Sequence, residues 1–118
     1  AKVTPPCLLG VTVLTSDSDT SAFEPRLGLA IAAGCDGVVC SGHEVGAVKS
    51  RRADLVTMVP GVRLAGSSAD DQARVTTPAE AIGRGADVLV VGRTVTHAPD
   101  LEVAAATVFT EVTRAVAG

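Results

Sequence analysis

The chain has 118 residues, a length that suits one domain, and 47% of them are apolar, which is enough for a hydrophobic core and argues against disorder. Ten basic and 13 acidic residues give a formal net charge of −3, and aromatic residues make up only 2%. Nucleic-acid binding relies on positive charge and, for single strands, on aromatic rings that stack with bases. This composition therefore argues against a nucleic-acid-binding protein.

Four short runs rich in β-branched residues predict strands that are apolar on both faces, a pattern typical of a parallel sheet. The runs are residues 8–14, 37–40, 55–59 and 88–91. Helical patterns follow each of them, at residues 27–33, 44–51, 79–84 and 101–116. The sequence therefore predicts that strand and helix alternate four times, and a further short helix is considered for residues 69–75.

The third predicted helix carries the clearest boundary signals. Thr77 is placed to cap its amino terminus, Pro78 occupies the first helical position, and Glu80 completes a capping box with Thr77. Gly85 suits the left-handed position that often follows a helix. The last predicted helix begins in a similar way near Asp100.

The sequence contains an internal similarity between residues 34–41 and 85–92. In both segments a glycine that ends a helix is followed by an aspartate and a buried strand. The two segments lie two βα units apart, as in the repeats of (βα)8 barrels. However, any two junctions between a helix and the next strand have similar sequences, so the similarity alone does not establish a repeat. A complete barrel needs about 200 residues, so four parallel strands form either a small open sheet or half of a barrel. We therefore predict an α/β fold in which residues 1–118 form a single (βα)4 unit.

Two loops each place a glycine and an arginine just past the carboxyl end of a predicted strand. The first contains Gly61 and Arg63, and the second contains Gly92 and Arg93. Glycine lets the backbone approach a ligand, and arginine offers a planar fork of donors that fits a phosphate. In (βα)8 barrels the loops after the seventh and eighth strands often hold a phosphate. Two such pairs in consecutive loops favour a phosphate site over two solvated arginines.

Other polar residues near the strand ends are weaker candidates. The amide of Gln72 could donate to a phosphate or a uracil-like ring. Thr15 and Ser16 follow the first strand, where a hydroxyl could meet a ring amide or cap a helix. His43 and His97 have no partner at motif spacing and are interpreted as structural.

Asp36 and Asp87 precede strands, at the opposite edge of the sheet, and are interpreted as stabilising residues. The sequence has no metal-ligand cluster, nucleophile elbow or P-loop, so we predict no metal site. The three cysteines form no CxxC pair and are expected to be free thiols in a reducing cytoplasm. No apolar run reaches the roughly 20 residues of a membrane helix, so we expect neither a signal peptide nor an anchor.

Taken together, the motifs resemble the carboxyl-terminal half of bacterial orotidine 5′-phosphate decarboxylase. The matching stretches are VTVLTS at 11–16, DGVVCS at 36–41, PGVR at 60–63, DQARV at 71–75, Thr77-Pro78 with Ala81, and GADVLVVGR at 85–93. They occur in the family's order and cover nearly the whole chain. The resemblance implies that residues 1–118 correspond to strands 5–8 of a TIM (βα)8 barrel.

The resemblance also implies an activity and a set of binding residues. The family is a carboxy-lyase that converts orotidine monophosphate to UMP and carbon dioxide in pyrimidine biosynthesis, with neither a metal nor an organic cofactor. Matching positions imply a pyrimidine contact at Thr15 and a pocket wall at Pro60. The positions that match phosphate contacts are Arg63, Gln72, Gly92 and Arg93.

One departure from the family bears on catalysis. The family's proton donor is a lysine in an Asp-x-Lys-x-x-Asp stretch on an earlier strand, whereas the lysines here, Lys2 and Lys49, lie outside any such pattern. The segment 17–27 is also shorter than its counterpart in the family. We therefore expect no catalytic residue in this chain and no activity from the isolated chain. We also expect it to assemble with further copies or with a complementary half-barrel.

Two other functions stay open at this point. One is a non-catalytic module that binds a phosphate or nucleotide or serves in assembly. The other is a different barrel enzyme that acts on a sugar phosphate.

Overall fold

The computed structural model describes residues 3–14, 16–64 and 75–118, and its strands form one parallel sheet in the order of the chain. The strands are β1 (Leu9–Val11), β2 (Gly37–Val39), β3 (Val56–Val59) and β4 (Val88–Leu89). The helices are α1 (Phe23–Ala32), α2 (Val45–Arg51), α3 (Pro78–Gly83), α4 (Arg93–Thr96) and α5 (Leu101–Ala117). The predicted alternation of strands and helices is confirmed. Within the described ranges, none of the helices has both the length and the apolar character needed to cross a membrane.

Two helices differ from the prediction. Helix α1 begins at Phe23, earlier than expected, because Phe23 is buried in the core and Pro25 lies in the first turn, where a helix needs no backbone N–H. Helix α4 is a single turn after Gly92 that the sequence did not predict. The helix considered for residues 69–75 lies outside the described residues except for Val75, which is not helical.

The predicted capping of α3 is confirmed in both directions. The Glu80 N–H donates to Thr77 Oγ1 at 3.2 Å, and the Thr77 N–H donates to Glu80 Oε2 at 3.1 Å. Gly85 follows the helix with φ of 106°, which a residue with a side chain rarely adopts. Helix α5 is capped by Asp100, whose Oδ1 accepts from the Val103 N–H at 3.1 Å. The boundaries of these two helices therefore follow from local sequence.

The helices leave one face of the sheet open. On the covered face, Val38 and Val59 are fully buried in a core that also contains Leu27 and Val48. On the other face the register aligns one apolar residue from each strand, namely Val11, Val39, Met58 and Val88. In this row Val11 is 57% exposed and Val88 is 39% exposed. The strand faces are largely apolar as predicted, although the buried Thr57 lies on the covered face, and the helices cover only that face.

Aspartates at the amino ends of β2 and β4 tie neighbouring strands together. Asp36 Oδ2 accepts from the Leu8 N–H at 2.7 Å. Asp87 Oδ2 accepts from the Thr57 N–H at 2.9 Å and from Lys49 Nζ at 2.7 Å. Lys49 Nζ also donates to the Leu55 carbonyl at 2.7 Å. These contacts fit the stabilising role expected at this edge of the sheet.

Replacing Asp87 by asparagine is expected to lower stability at neutral pH. Burial raises the pKa of Asp87, but the hydrogen bonds from Lys49 and Thr57 and the charge of Lys49 lower that pKa further, so the net pKa lies below its ordinary value. A carboxyl with a lowered pKa stabilises the fold above the unfolded pKa of about 4, and this contribution is lost as the pH falls through the folded pKa. Because the Asp87 side chain is 44% exposed, we expect a loss below about 1 kcal/mol.

Urea unfolding of wild type and Asp87→Asn at pH 7 and at stepwise lower pH checks this expectation. The stability difference should narrow as the pH falls below about 4. Glu102→Gln is the matched control, because Glu102 is exposed and forms no ion pair within the part of the chain that the structure describes. A difference that stays constant with pH would contradict a role for the Asp87 charge.

Candidate functional site

The loop after β3 is held by backbone contacts to the segment that precedes α3. Gly61 has φ of 70°, and the next residue, Val62, is fully buried and forms an isolated parallel bridge with Thr76. The Arg63 N–H donates to the Thr76 carbonyl at 2.9 Å, and the Thr76 N–H donates to the Gly61 carbonyl at 3.4 Å. The loop thus has a defined path at the carboxyl edge of the sheet.

Arg63 carries a buried positive charge. The residue is only 7% exposed, and its Nη1 donates to the Val62 carbonyl at 3.1 Å. In the part of the chain that the structure describes, no carboxylate pairs with its guanidinium. Arginine is almost never fully buried without a partner, and a guanidinium has five N–H donors to satisfy. Arg63 is therefore suited to an anion that approaches this edge of the sheet.

The loop after β4 lies against the loop after β3. Gly92 precedes α4, and a side chain built at Gly92 would meet no atom of the described residues within 4 Å, so its backbone is open on that side. Arg93 begins α4 and is partly buried. The Leu64 N–H donates to Thr94 Oγ1 at 3.2 Å, and Thr94 is 8% exposed. This hydrogen bond joins the two loops that contain Arg63 and Arg93.

The loop after β2 also reaches this cluster. A side chain at Gly42 would clash with Thr76 Oγ1, so the absence of a side chain lets the two segments touch. His43, which is exposed, contacts the Val75 carbonyl through Nε2 at 3.1 Å. His43 therefore braces the segment before α3, in line with its structural interpretation. Consecutive loops at the carboxyl edge thus form one packed group.

The structure brings together four of the six residues expected to bind the ligand: Pro60, Arg63, Gly92 and Arg93 follow β3 and β4 at the same edge of the sheet. Thr15 and Gln72 lie outside the described residues. Among the residues with described positions, no group of three or more His, Cys, Asp or Glu side chains could hold a metal ion. Thr94 was not predicted as a site residue, because a threonine after Gly-Arg has no distinctive sequence pattern.

The sequence is similar to known decarboxylases over almost its whole length. The model of the orotidine 5′-phosphate decarboxylase / HUMPS family matches residues 1–108. An orotidine 5′-phosphate decarboxylase of Gluconobacter oxydans is 46% identical over 123 aligned positions, which cover 93% of this chain and 52% of the relative. One from Laribacter hongkongensis is 48% identical and is matched over 80% of this chain and 44% of the relative.

Solved structures agree with the sequence comparison. The orotidine 5′-phosphate decarboxylase of Lactobacillus acidophilus superposes with a TM-score of 0.72 at 30% identity, over 95% of this chain and 51% of that protein. The enzyme of Metallosphaera sedula gives a TM-score of 0.68 at 19% identity, a likeness of fold alone. The (βα)4 unit thus corresponds to part of a decarboxylase TIM barrel, and the chain spans about half the length of the curated relatives it matches. It belongs to the orotidine 5′-phosphate decarboxylase family.

Proposed function

We propose that this chain supplies the phosphate-binding half of an orotidine 5′-phosphate decarboxylase, the carboxy-lyase that forms UMP and carbon dioxide in pyrimidine biosynthesis. The observation that carries the proposal is the buried guanidinium of Arg63, which has no carboxylate partner among the described residues. Family membership supplies the substrate class, because the matched relatives bear the name of this enzyme.

In this proposal the substrate phosphate sits between the two arginine-containing loops. Arg63 and Arg93 donate charge-assisted hydrogen bonds, and the open backbone of Gly92 lets the phosphate come close. Pro60 contributes a wall of the nucleotide pocket. Gln72 adds a contact to the phosphate, and Thr15 adds one to the pyrimidine ring.

The proton donor must come from outside this chain. Lys49 lies at the amino edge of the sheet, where it bonds to Asp87 and the Leu55 carbonyl. The carboxyl edge, where the arginine loops lie, is at the other end of the strands. Lys2, the other lysine, is outside the described residues. We therefore propose that a complementary half-barrel supplies the proton donor, because a second copy of this chain has the same lysines and could only cover the open face of the sheet. The completed site works in the cytoplasm, with no cofactor, nucleic acid or membrane.

Binding of UMP and uridine tests the phosphate site. UMP is expected to bind more tightly than uridine, and Arg93→Ala should remove most of the difference, about 1.5–3 kcal/mol, because the contact is charge-assisted. Titration calorimetry at two salt concentrations measures it, and added salt should weaken UMP binding. Arg114→Ala is the matched control, because it removes an equal charge from the exposed end of α5. Equal affinity for UMP and uridine would rule out the phosphate site.

A second candidate, a binding or assembly module without catalysis, is favoured by the position of Lys49 at the wrong edge of the sheet. The UMP titration separates this module from the third candidate, which is a barrel enzyme that acts on another sugar phosphate. A sugar phosphate that bound more tightly than UMP would favour that enzyme.

A further inference from the structure

Thr94 forms a hydrogen bond between the two arginine-containing loops, and the local sequence did not predict this contact. Its Oγ1 accepts from the Leu64 N–H at 3.2 Å, although the two residues lie 30 positions apart. The residue is only 8% exposed. A partly buried, long-range hydrogen bond of this kind helps to fix the relative position of the two segments that it joins.

The backbone hydrogen bonds of the loop after β3, as far as the chain is described, lead away from α4. Arg63 and Gly61 bond through their backbones to Thr76, which belongs to the segment before α3. Backbone bonds inside α4 run from Val95 and Thr96 to Gly92, and so hold only that loop together. Neither set connects the loop of Arg63 with the loop of Arg93. Within the described residues, the backbone bond from the Val90 N–H to the Val59 carbonyl joins the strand ends, and the Thr94 hydroxyl adds a connection farther along, one residue after each arginine.

We infer that Thr94 is a positioning residue, which holds the loop of Arg63 in register with Gly92 and Arg93 so that both loops can contact one phosphate. The inference rests on the proposed phosphate site. Two-point recognition by a planar guanidinium depends on geometry, and a shift of about 1 Å weakens it strongly. Thr94 itself need not touch the ligand, because it acts through the Leu64 N–H.

The role of the Thr94 hydroxyl can be tested separately from the role of the side chain's shape. Thr94→Val keeps the branched side chain and removes the acceptor, whereas Thr94→Ser keeps the acceptor. Thr96→Val is the matched control, because it makes the same substitution at an exposed threonine on the same helical turn. The measurement is the ratio of uridine to UMP dissociation constants, together with the unfolding midpoint.

We expect Thr94→Val to lower the preference for UMP over uridine at least fivefold while uridine binding stays unchanged. Thr94→Ser and Thr96→Val should keep the wild-type ratio. A wild-type ratio in Thr94→Val, or an equal loss in Thr94→Ser, would overturn the role of Thr94 and leave the phosphate site standing. A wild type that does not distinguish UMP from uridine would overturn the phosphate site and this inference with it. If Thr94→Val fails to fold, Thr94→Ala replaces it and is judged by the same ratio.

Discussion

The 118-residue chain alone is expected to release no carbon dioxide from orotidine monophosphate above the uncatalysed rate. Loss of carbon dioxide leaves a carbon that must take up a proton, and the family resemblance assigns this step to a lysine in an Asp-x-Lys-x-x-Asp stretch that the sequence lacks. Lys49 cannot replace that lysine, because its amine is bound to Asp87 and the Leu55 carbonyl at the amino edge of the sheet. Binding through the arginines would continue without turnover.

Fusion to the amino-terminal half of the Gluconobacter oxydans relative should restore activity. This chain aligns with about half of that relative at 46% identity, so a fusion at the start of the aligned region supplies the missing strands. Turnover is followed by the loss of orotidine monophosphate absorbance. Arg93→Ala in the fusion should lower kcat/KM about tenfold or more, since charge-assisted hydrogen bonds contribute about 1.5–3 kcal/mol.

The control for the fusion is Arg114→Ala, which should leave its kcat/KM unchanged. Turnover by the unfused chain that Arg93→Ala abolishes would mean that this chain contains a proton donor of its own. An inactive fusion that still folds and still binds UMP would favour the non-catalytic module.

Local sequence determines the elements whose boundaries depend on nearby residues. The capping box of Thr77 and Glu80 and the cap at Asp100 were predictable because each joins groups within three positions of one another. The strands were predictable as apolar runs, although β4 is limited to Val88–Leu89 where a longer run was expected. The carboxyl-edge position of Arg63 and Arg93 followed directly from these strands.

Contacts between distant residues decide the features that the sequence did not predict. Phe23 extends α1 because it reaches the core around Leu27, and no local signal at Ala22 caps the helix with a side chain. The bond between Leu64 and Thr94 joins two loops that only the sheet brings together. The burial of Arg63 likewise depends on the path of its loop past Thr76.

The chain has a larger surface than a compact monomer of its mass, and the open face of the sheet contributes to that surface. Its accessible surface is 6836 Å², whereas a compact monomer of this mass exposes about 5900 Å². Its radius of gyration is 15.0 Å, against about 13.5 Å for a compact domain of this length. The excess, about 900 Å², is close to the roughly 800 Å² that each partner buries in a standard interface.

The isolated chain is therefore expected to form a dimer or a larger assembly at micromolar concentration. The edge strands β1 and β4 run parallel, so a two-fold axis along the strands would pair β4 of one copy with β1 of the other at both seams. This arrangement covers the row that contains Val11 and Val88 and leaves no unpaired strand edge. Burial of apolar area at roughly 25 cal/mol per Å² should exceed the cost of association, about 4–15 kcal/mol.

Sedimentation velocity and light scattering measure the assembly. Val11→Lys and Val88→Lys place a charge on the open face, so each should weaken association at least tenfold, because a buried unpaired charge is costly. Ser50→Lys adds the same charge to an exposed position of α2 and should leave the assembly unchanged. A wild-type monomer of 11.8 kDa that unfolds cooperatively would instead mean that the sheet is stable as an open α/β layer. In that case the fold would be stable with the row from Val11 to Val88 exposed to solvent, and the chain would not need a partner to bury that row.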